Sequence, residues 1–257
     1  MERVGVLVRL RARSAASTGA VAVFGTGLSR KDSFVNTDQF GLGTGDYVPD
    51  PEHDTALLVD AFFDSIAATA GEHGPASAPA ASMRARLAEL EAASADRIVD
   101  EPARFNLRMT LALVVGYRVL APVLGRDEAI SAVRRAFVEP LGDALRAGTR
   151  AMLDNAPDPF AAMVAVSKSR EEYAFGTGFE FERAADDDGR YHLNVVRCFY
   201  HEVLEAHSAA ELTPAMCAFD ANWIEVIDPD RHGFRFDRDT TIGWGGTQCP
   251  FHFERVR

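Results

Sequence analysis

The stretch FEFERAADDDGRYHLNVVRCFYHEVLEAH, residues 179–207, decides the fold. Phe179, Glu180, Phe181 and Glu182 alternate apolar with charged side chains, ADDDG supplies a tight polar turn, and Tyr191, Leu193 and Val195 resume the alternation. That period of two predicts a β-hairpin. Cys198 stands where the second strand passes into a helix, FYHEVLEAHSA. Working toward the C-terminus, Leu212 to about Val226 predicts another helix with Pro214 in its first turn. Two further strands are expected, Gly233 to Thr241 and Gln248 to Val256, joined by the glycine-rich turn IGWGG.

Toward the N-terminus the period becomes helical. Leu57, Leu58, Ala61, Phe62 and Ile66 mark one helix after Pro51, and GEHGPASAPAAS reads as a linker. Helices then follow over Met83 to Val99, from Pro102 to Leu124, from Glu128 to about Leu153, and from Phe160 to about Glu172 after Pro159. The expected class is α+β: a helical N-terminal half packed on a mostly antiparallel C-terminal sheet with two inserted helices. Three regions follow: a basic, glycine-rich arm over 1–50, a helical region over 51–172, and an α+β region over 173–257, the last two forming one domain. Within the arm, Val4 to Leu10 and Ala20 to Phe24 alternate as short strands do. Its GTG and GLGTG lack the Gly-Lys-Ser/Thr of a phosphate loop.

The chain of 257 residues carries a formal net charge of −11, unevenly spread: Arg3, Arg9, Arg11, Arg13, Arg30 and Lys31 face only Glu2 in the first thirty-one residues, so the arm is basic and the rest strongly acidic. An acidic body repels phosphates, so no nucleic-acid partner is expected. Arginines interrupt MERVGVLVRLRAR where a secretory signal needs an unbroken apolar core. The longest apolar candidate, Leu107 to Leu124, is divided by Gly116, Arg118 and Pro122 and reads as a buried helix, so no membrane partner is expected either. Three cysteines form no disulfide framework, which suits reduced thiols in a cytoplasm. The expected partner is a small-molecule substrate, and self-association as a homo-oligomer stays open.

All three cysteines fall in the last quarter, after 190 or so residues without any. Cys198, His201 and Glu202 sit at i, i+3 and i+4 and share one helix face, and Cys217 and Asp220 share a face of the next helix. Cys249 and Phe251 point inward with Phe253, whereas His252 points outward. Three readings stand side by side. In one, a cysteine beside His201 attacks an electrophilic carbon while Asp220 or Glu202 orients the base or activates water. In another, three thiolates with His201 or Asp220 hold zinc, although no CxxC knuckle is present. In the third, the thiols are small buried hydrophobes. Arg235 is the candidate to bind a substrate carboxylate, and Trp244, between glycines, to touch a ligand. His53 and His73 read as solvated positions.

The order RCFYHEVLEAH, ELTPAMCAFD and GGTQCPFHF resembles the L-2-amino-thiazoline-4-carboxylic acid hydrolase family over Phe105 to Arg257. The closing element is also similar to one in small-ligand-binding domains related to vinyl reductases. The first resemblance implies hydrolytic opening of a C=N bond in a five-membered ring bearing a carboxylate, on this or a related substrate; no cofactor is expected, with zinc as the alternative. It carries over to Cys198, Cys217, Asp220 and Cys249, while His201 and Glu202 come from helix geometry. The expected chemistry has Asp220 activating water or protonating the ring nitrogen, Cys217 attacking the carbon or shaping the pocket, and His201 shuttling the proton. A binding module and a structural zinc domain are the competing classes.

Overall fold

The structure, a computed structural model, describes residues 40–42, 47–73 and 80–256. The alternating segments expected at 4–10 and 20–24, and Gly25, Gly27, Gly43 and Gly45, lie outside the described residues. Helices α1 (Pro51–Glu72), α2 (Ala80–Ala93), α3 (Glu101–Leu124), α4 (Arg126–Val138), α5 (Gly142–Asn155) and α6 (Pro159–Arg170) come first. Strands β1 (Glu180–Asp186) and β2 (Arg190–Arg197) follow, then α7 (Phe199–Ala206), α8 (Thr213–Ala218), α9 (Ala221–Ile224) and α10 (Pro229–His232). Strands β3 (Phe234–Asp237) and β4 (Cys249–Arg255) complete a four-stranded sheet of order β1-β2-β4-β3. Every pairing in it is antiparallel, and the class is α+β as the sequence predicts.

Three helices start by one local device. Asp50, Asp100 and Asp158 each stand before a helix with proline in its first turn. Each accepts a backbone N–H three residues on, at 3.0, 2.8 and 3.1 Å. The cap satisfies a donor that the first turn cannot, and proline has no N–H to leave unsatisfied.

Three of the helices expected from the sequence end or divide differently. The helix expected over 128–153 is divided into α4 and α5, with Pro140 between them, because proline cannot donate to the preceding turn. The helix expected over 212–226 becomes α8 and α9. There Phe219, Asn222 and Trp223 donate to the carbonyls three residues back, which tightens the chain and ends the α-helical ladder. After Arg170 the chain widens into a π-turn over Glu171–Phe175. Helix α3 runs unbroken through Gly116, Arg118 and Pro122 to Leu124, as expected. By length and composition it is apolar enough to cross a membrane, with half of that window buried inside the protein.

Helix α3 is the hub of the helical half, touching α1, α2, α4 and α7. Leu107, Leu111, Leu113, Val114 and Leu120 are fully enclosed. Gly116 allows the closest approach to α1, since a methyl group there would lie 2.6 Å from the Phe62 ring. The buried apolar residues fall into two clusters, one around α1, α3, α4, α7 and α8, the other around Phe160, Tyr191, Phe234 and Phe253. All described residues belong to one compact unit spanning Val35–Arg257.

Gly116→Val is expected to destabilise the protein by about 1–3 kcal/mol through overpacking against Phe62. Urea denaturation measures this. Phe62→Leu introduced into the same variant should recover part of the loss, because the two changes act on one contact.

Candidate active site

The alternation of β2 and β4 builds the floor of the site. Tyr191, Leu193 and Val195 face Phe253, Phe251 and Cys249 across the ladder, on the side covered by helices. On the opposite side His192 and His252 stack at 4.3 Å, and His252 is bonded to Asn194 at 2.9 Å. Above the inner face lies a cavity of about 200 Å³. Its wall draws on both apolar clusters, with Phe179 and Met216 from one and Met163 and Phe253 from the other. The space is partly open to solvent and is lined mainly by apolar and aromatic side chains with a few polar groups among them, as small-molecule sites are.

The three cysteines, Asp220 and Arg238 on this wall come from five separate elements. Cys198 ends β2 as the N-cap of α7, Cys217 is on α8, Asp220 precedes α9, Arg238 follows β3, and Cys249 opens β4. Asp220 is held on both oxygens: Arg238 Nη1 donates to Oδ2 at 2.6 Å and Trp223 Nε1 donates to Oδ1 at 3.0 Å. The other arm of Arg238 donates to the Cys217 carbonyl at 3.1 Å, and its guanidinium lies 5.2 Å from the Phe251 ring centre. Removing either charge of such a pair would strand the other in a poorly solvated wall.

Burial pushes the Cys198 thiol up to about 12, although the backbone N–H groups of His201 and Tyr200 work against it. Burial likewise pushes Cys249 up to about 11, opposed by the Ile242 N–H, which donates to its sulfur at 3.1 Å. Cys217 is raised too, by burial first, against the nearby Thr241 hydroxyl. That hydroxyl oxygen is buried on the cavity wall and meets no partner at hydrogen-bonding geometry. Gly243 lets the 242–244 turn close over α8, because a methyl there would lie 3.1 Å from the Cys217 sulfur.

Sequence reasoning missed Arg170, the last residue of α6. It lines the cavity, and among the described residues its guanidinium makes no hydrogen bond or ion pair. Burial works to lower its pKa, yet Tyr47, Asp220, Tyr200 and Asp54 outweigh that and hold it above the ordinary arginine value. Asp54 itself is pushed up to about 6, by burial first, against the charges of Arg170 and His53. Tyr200 also lines the cavity, and its hydroxyl donates to Asn106 Oδ1 at 3.0 Å. The Asn106 amide in turn donates to the carbonyls of Ala174 and Phe175, pinning the π-turn at the cavity edge. The sequence signal that was available is a cation at the end of an otherwise apolar helical stretch.

Of the residues singled out in the sequence, Cys198, Cys217, Asp220 and Cys249 meet on this wall. Four others do not line it. His201 faces away, with Nδ1 3.0 Å from the Thr213 hydroxyl and Nε2 3.6 Å from Glu205, so it touches the cavity only through Thr213. Glu202 lies 4.0 Å from Arg197 on the surface. Arg235 is on the outer face of the sheet, bonded to Asp237 and Glu254. Trp244 is 71% exposed. Helical spacing placed His201 and Glu202 with Cys198, but Cys198 is a cap with an extended backbone, not a helical residue sharing their face. His53 and His73 are exposed. Among the described residues, no group of three or more His, Cys, Asp or Glu side chains is gathered as metal ligands would be.

An α+β fold that sets an unpaired guanidinium, an Asp–Arg pair and three neutral thiols around an aromatic cavity has the features of a small-molecule site. The sequence model of the L-2-amino-thiazoline-4-carboxylic acid hydrolase family matches residues 105–253, more than half of the chain, and the chain belongs to that family. No curated protein and no solved structure matches it.

With all three thiols raised, alkylation of the native protein by iodoacetamide should be slow near neutral pH and fast once the chain is unfolded. Because the folded state holds these protons more tightly than the unfolded chain, stability should be full below about pH 8.5 and decline as pH rises beyond it. A single thiol that labels rapidly in the native protein at neutral pH would contradict this account.

Proposed function

We propose that the chain is a hydrolase-like enzyme that opens a C=N or C–N bond in a small cyclic substrate derived from an amino acid, of the 2-aminothiazoline-4-carboxylate kind. The observation that carries this reading is Arg170, a cation without an ion-pair partner among the described residues, on a cavity wall that also holds Asp220 and all three cysteines. Family membership supports the hydrolytic chemistry, and the cavity supports a small substrate.

In this reading Arg170 binds the ring carboxylate, which restores the partner that its side chain lacks. Asp220 takes a proton from water as the water oxygen bonds to the amidine carbon. The C=N electron pair moves to the ring nitrogen, which takes that proton back from Asp220; the adduct then collapses to a carbonyl as a ring single bond from the same carbon breaks, and the hydroxyl proton passes to the departing heteroatom. Arg238 and the Trp223 N–H hold the two carboxylate oxygens in place, and the positive charge of Arg238 balances the ionised carboxylate before the proton moves. The protonated thiols of Cys198, Cys217 and Cys249 shape the wall and offer weak donors, and the unpartnered Thr241 hydroxyl offers another. The role of proton shuttle expected of His201 is not retained, since Thr213 stands between its ring and the cavity.

With 2-amino-Δ2-thiazoline-4-carboxylate as substrate, Asp220→Asn is expected to lower kcat by on the order of 10²–10⁴ while binding persists. Unchanged turnover by that variant would remove the assignment, and tight binding without turnover by the native chain would favour the binding-module reading. Arg170→Gln should raise KM, with kcat/KM falling on the order of 10–100-fold.

The pH dependence has a defined sign. Below about 6 Asp54 is protonated and leaves Arg170 to the substrate; above it, the ionised carboxylate competes for the same guanidinium. Substrate affinity should therefore weaken as pH rises from about 5 to about 7, and Asp54→Asn should flatten that profile in a calorimetric titration.

A further inference from the structure

We infer that the natural substrate is a carboxylate carrying a planar aromatic body, larger and more apolar than a bare aminothiazoline ring. The inference rests on the substrate occupying this cavity as proposed above, and it does not depend on the hydrolytic step. Two groups of rings face the space. Phe175, Phe179 and Phe181 form one, with Phe179 and Phe181 inclined by only 12° and Phe175 meeting Phe179 edge-on at 5.0 Å. Trp223, Phe251 and Phe253 form the other, with the indole inclined by 23° to Phe251 and by 29° to Phe253.

A 2-aminothiazoline ring brings a polar amidine and little apolar surface. Against these walls it would lose water from its nitrogens and gain few partners, because buried polar groups need hydrogen bonds. An aryl body gains from the same walls twice, through the water it leaves and through offset stacking with rings already near parallel. Methionines at positions 109, 152 and 163 complete the apolar wall with adaptable side chains that fit irregular shapes. The anionic end follows from Arg170. A neutral aromatic ligand would leave that guanidinium without a hydrogen-bonding partner among the described residues, whereas a carboxylate satisfies it. The Thr241 hydroxyl, beside the Cys217 thiol on a residue only 3% exposed, supplies a second polar point for a ring heteroatom.

Three probes separate the terms: 2-phenyl-Δ2-thiazoline-4-carboxylate, 2-amino-Δ2-thiazoline-4-carboxylate, and 2-phenyl-Δ2-thiazoline without the acid. Each is titrated calorimetrically into the full chain, and ring opening is followed in the same samples. The phenyl acid should bind at least about tenfold tighter than the amino acid analogue, and at least about tenfold tighter than the compound without a carboxylate. Met152→Trp, which fills part of the apolar wall, should abolish the preference for the phenyl acid over the amino compound. Equal or weaker binding of the phenyl acid by the native chain overturns the inference, and this arm requires no variant to fold. If the amino compound is opened while the phenyl acid binds no better, the inference falls and the hydrolase reading stands. If the phenyl acid binds tightly and neither compound is opened, the substrate class stands and the hydrolase reading falls.

Discussion

The β2–β4 ladder is the constraint on which the rest of the structure depends. Its register sets Tyr191 against Phe253, Leu193 against Phe251 and Val195 against Cys249, all on one face. A shift of one residue would turn every one of these side chains to the outer surface and bring His192, Asn194, His252 and Glu254 into the cavity. The flanking strands extend the same alternation, with Phe181 on β1 and Phe236 on β3 directed toward the helices' side. Each helix that contributes to the site is therefore placed by what it must cover.

The site then illustrates what an apolar enclosure does to ionisable groups. Three thiols brought together by α7, α8 and β4 remain protonated because burial disfavours the thiolate more than nearby N–H groups favour it. A cysteine made nucleophilic by its surroundings requires the reverse balance, a positive neighbour and access to water. Asp220 shows the other solution available to a buried charge. It is paired with Arg238 and bonded to Trp223, and the pair is fixed in turn by the Cys217 carbonyl. The acid thus belongs to a rigid, charge-balanced unit, whereas Arg170 is left with a vacancy for an anion.

Backbone features that look like irregularities serve this arrangement. The break between α8 and α9 lets Asp220 act as the start of a new turn rather than continue the old helix. The π-turn after α6 carries the chain from Arg170 to the Phe175 and Phe179 rings, and Asn106 ties that turn to Tyr200. Such departures from regular hydrogen bonding are common where a chain must present side chains to a ligand.

Much of this architecture was legible without coordinates. Alternation over 179–195 and 249–253 determines the strands and the inward face, because a period of two assigns each side chain to one side of a sheet. Aspartate followed by proline marks the start of α1, α3 and α6, because both act within a single turn of backbone. The gathering of Cys198, Cys217, Asp220 and Cys249 could be anticipated from short motifs read in order. What the sequence could not supply were the partners made across long separations. Arg238 reaches Asp220 over 18 positions, and Arg170 meets the influence of Asp54 and Asp220 from two other elements. Helical spacing grouped His201 and Glu202 with Cys198, and strand position proposed Arg235, yet orientation depends on how each element is docked against its neighbours. Local periodicity determined which residues form each element and which strand faces turn inward; only tertiary structure decided which charges are paired, since electrostatic pairing is set by distance through space and not along the chain.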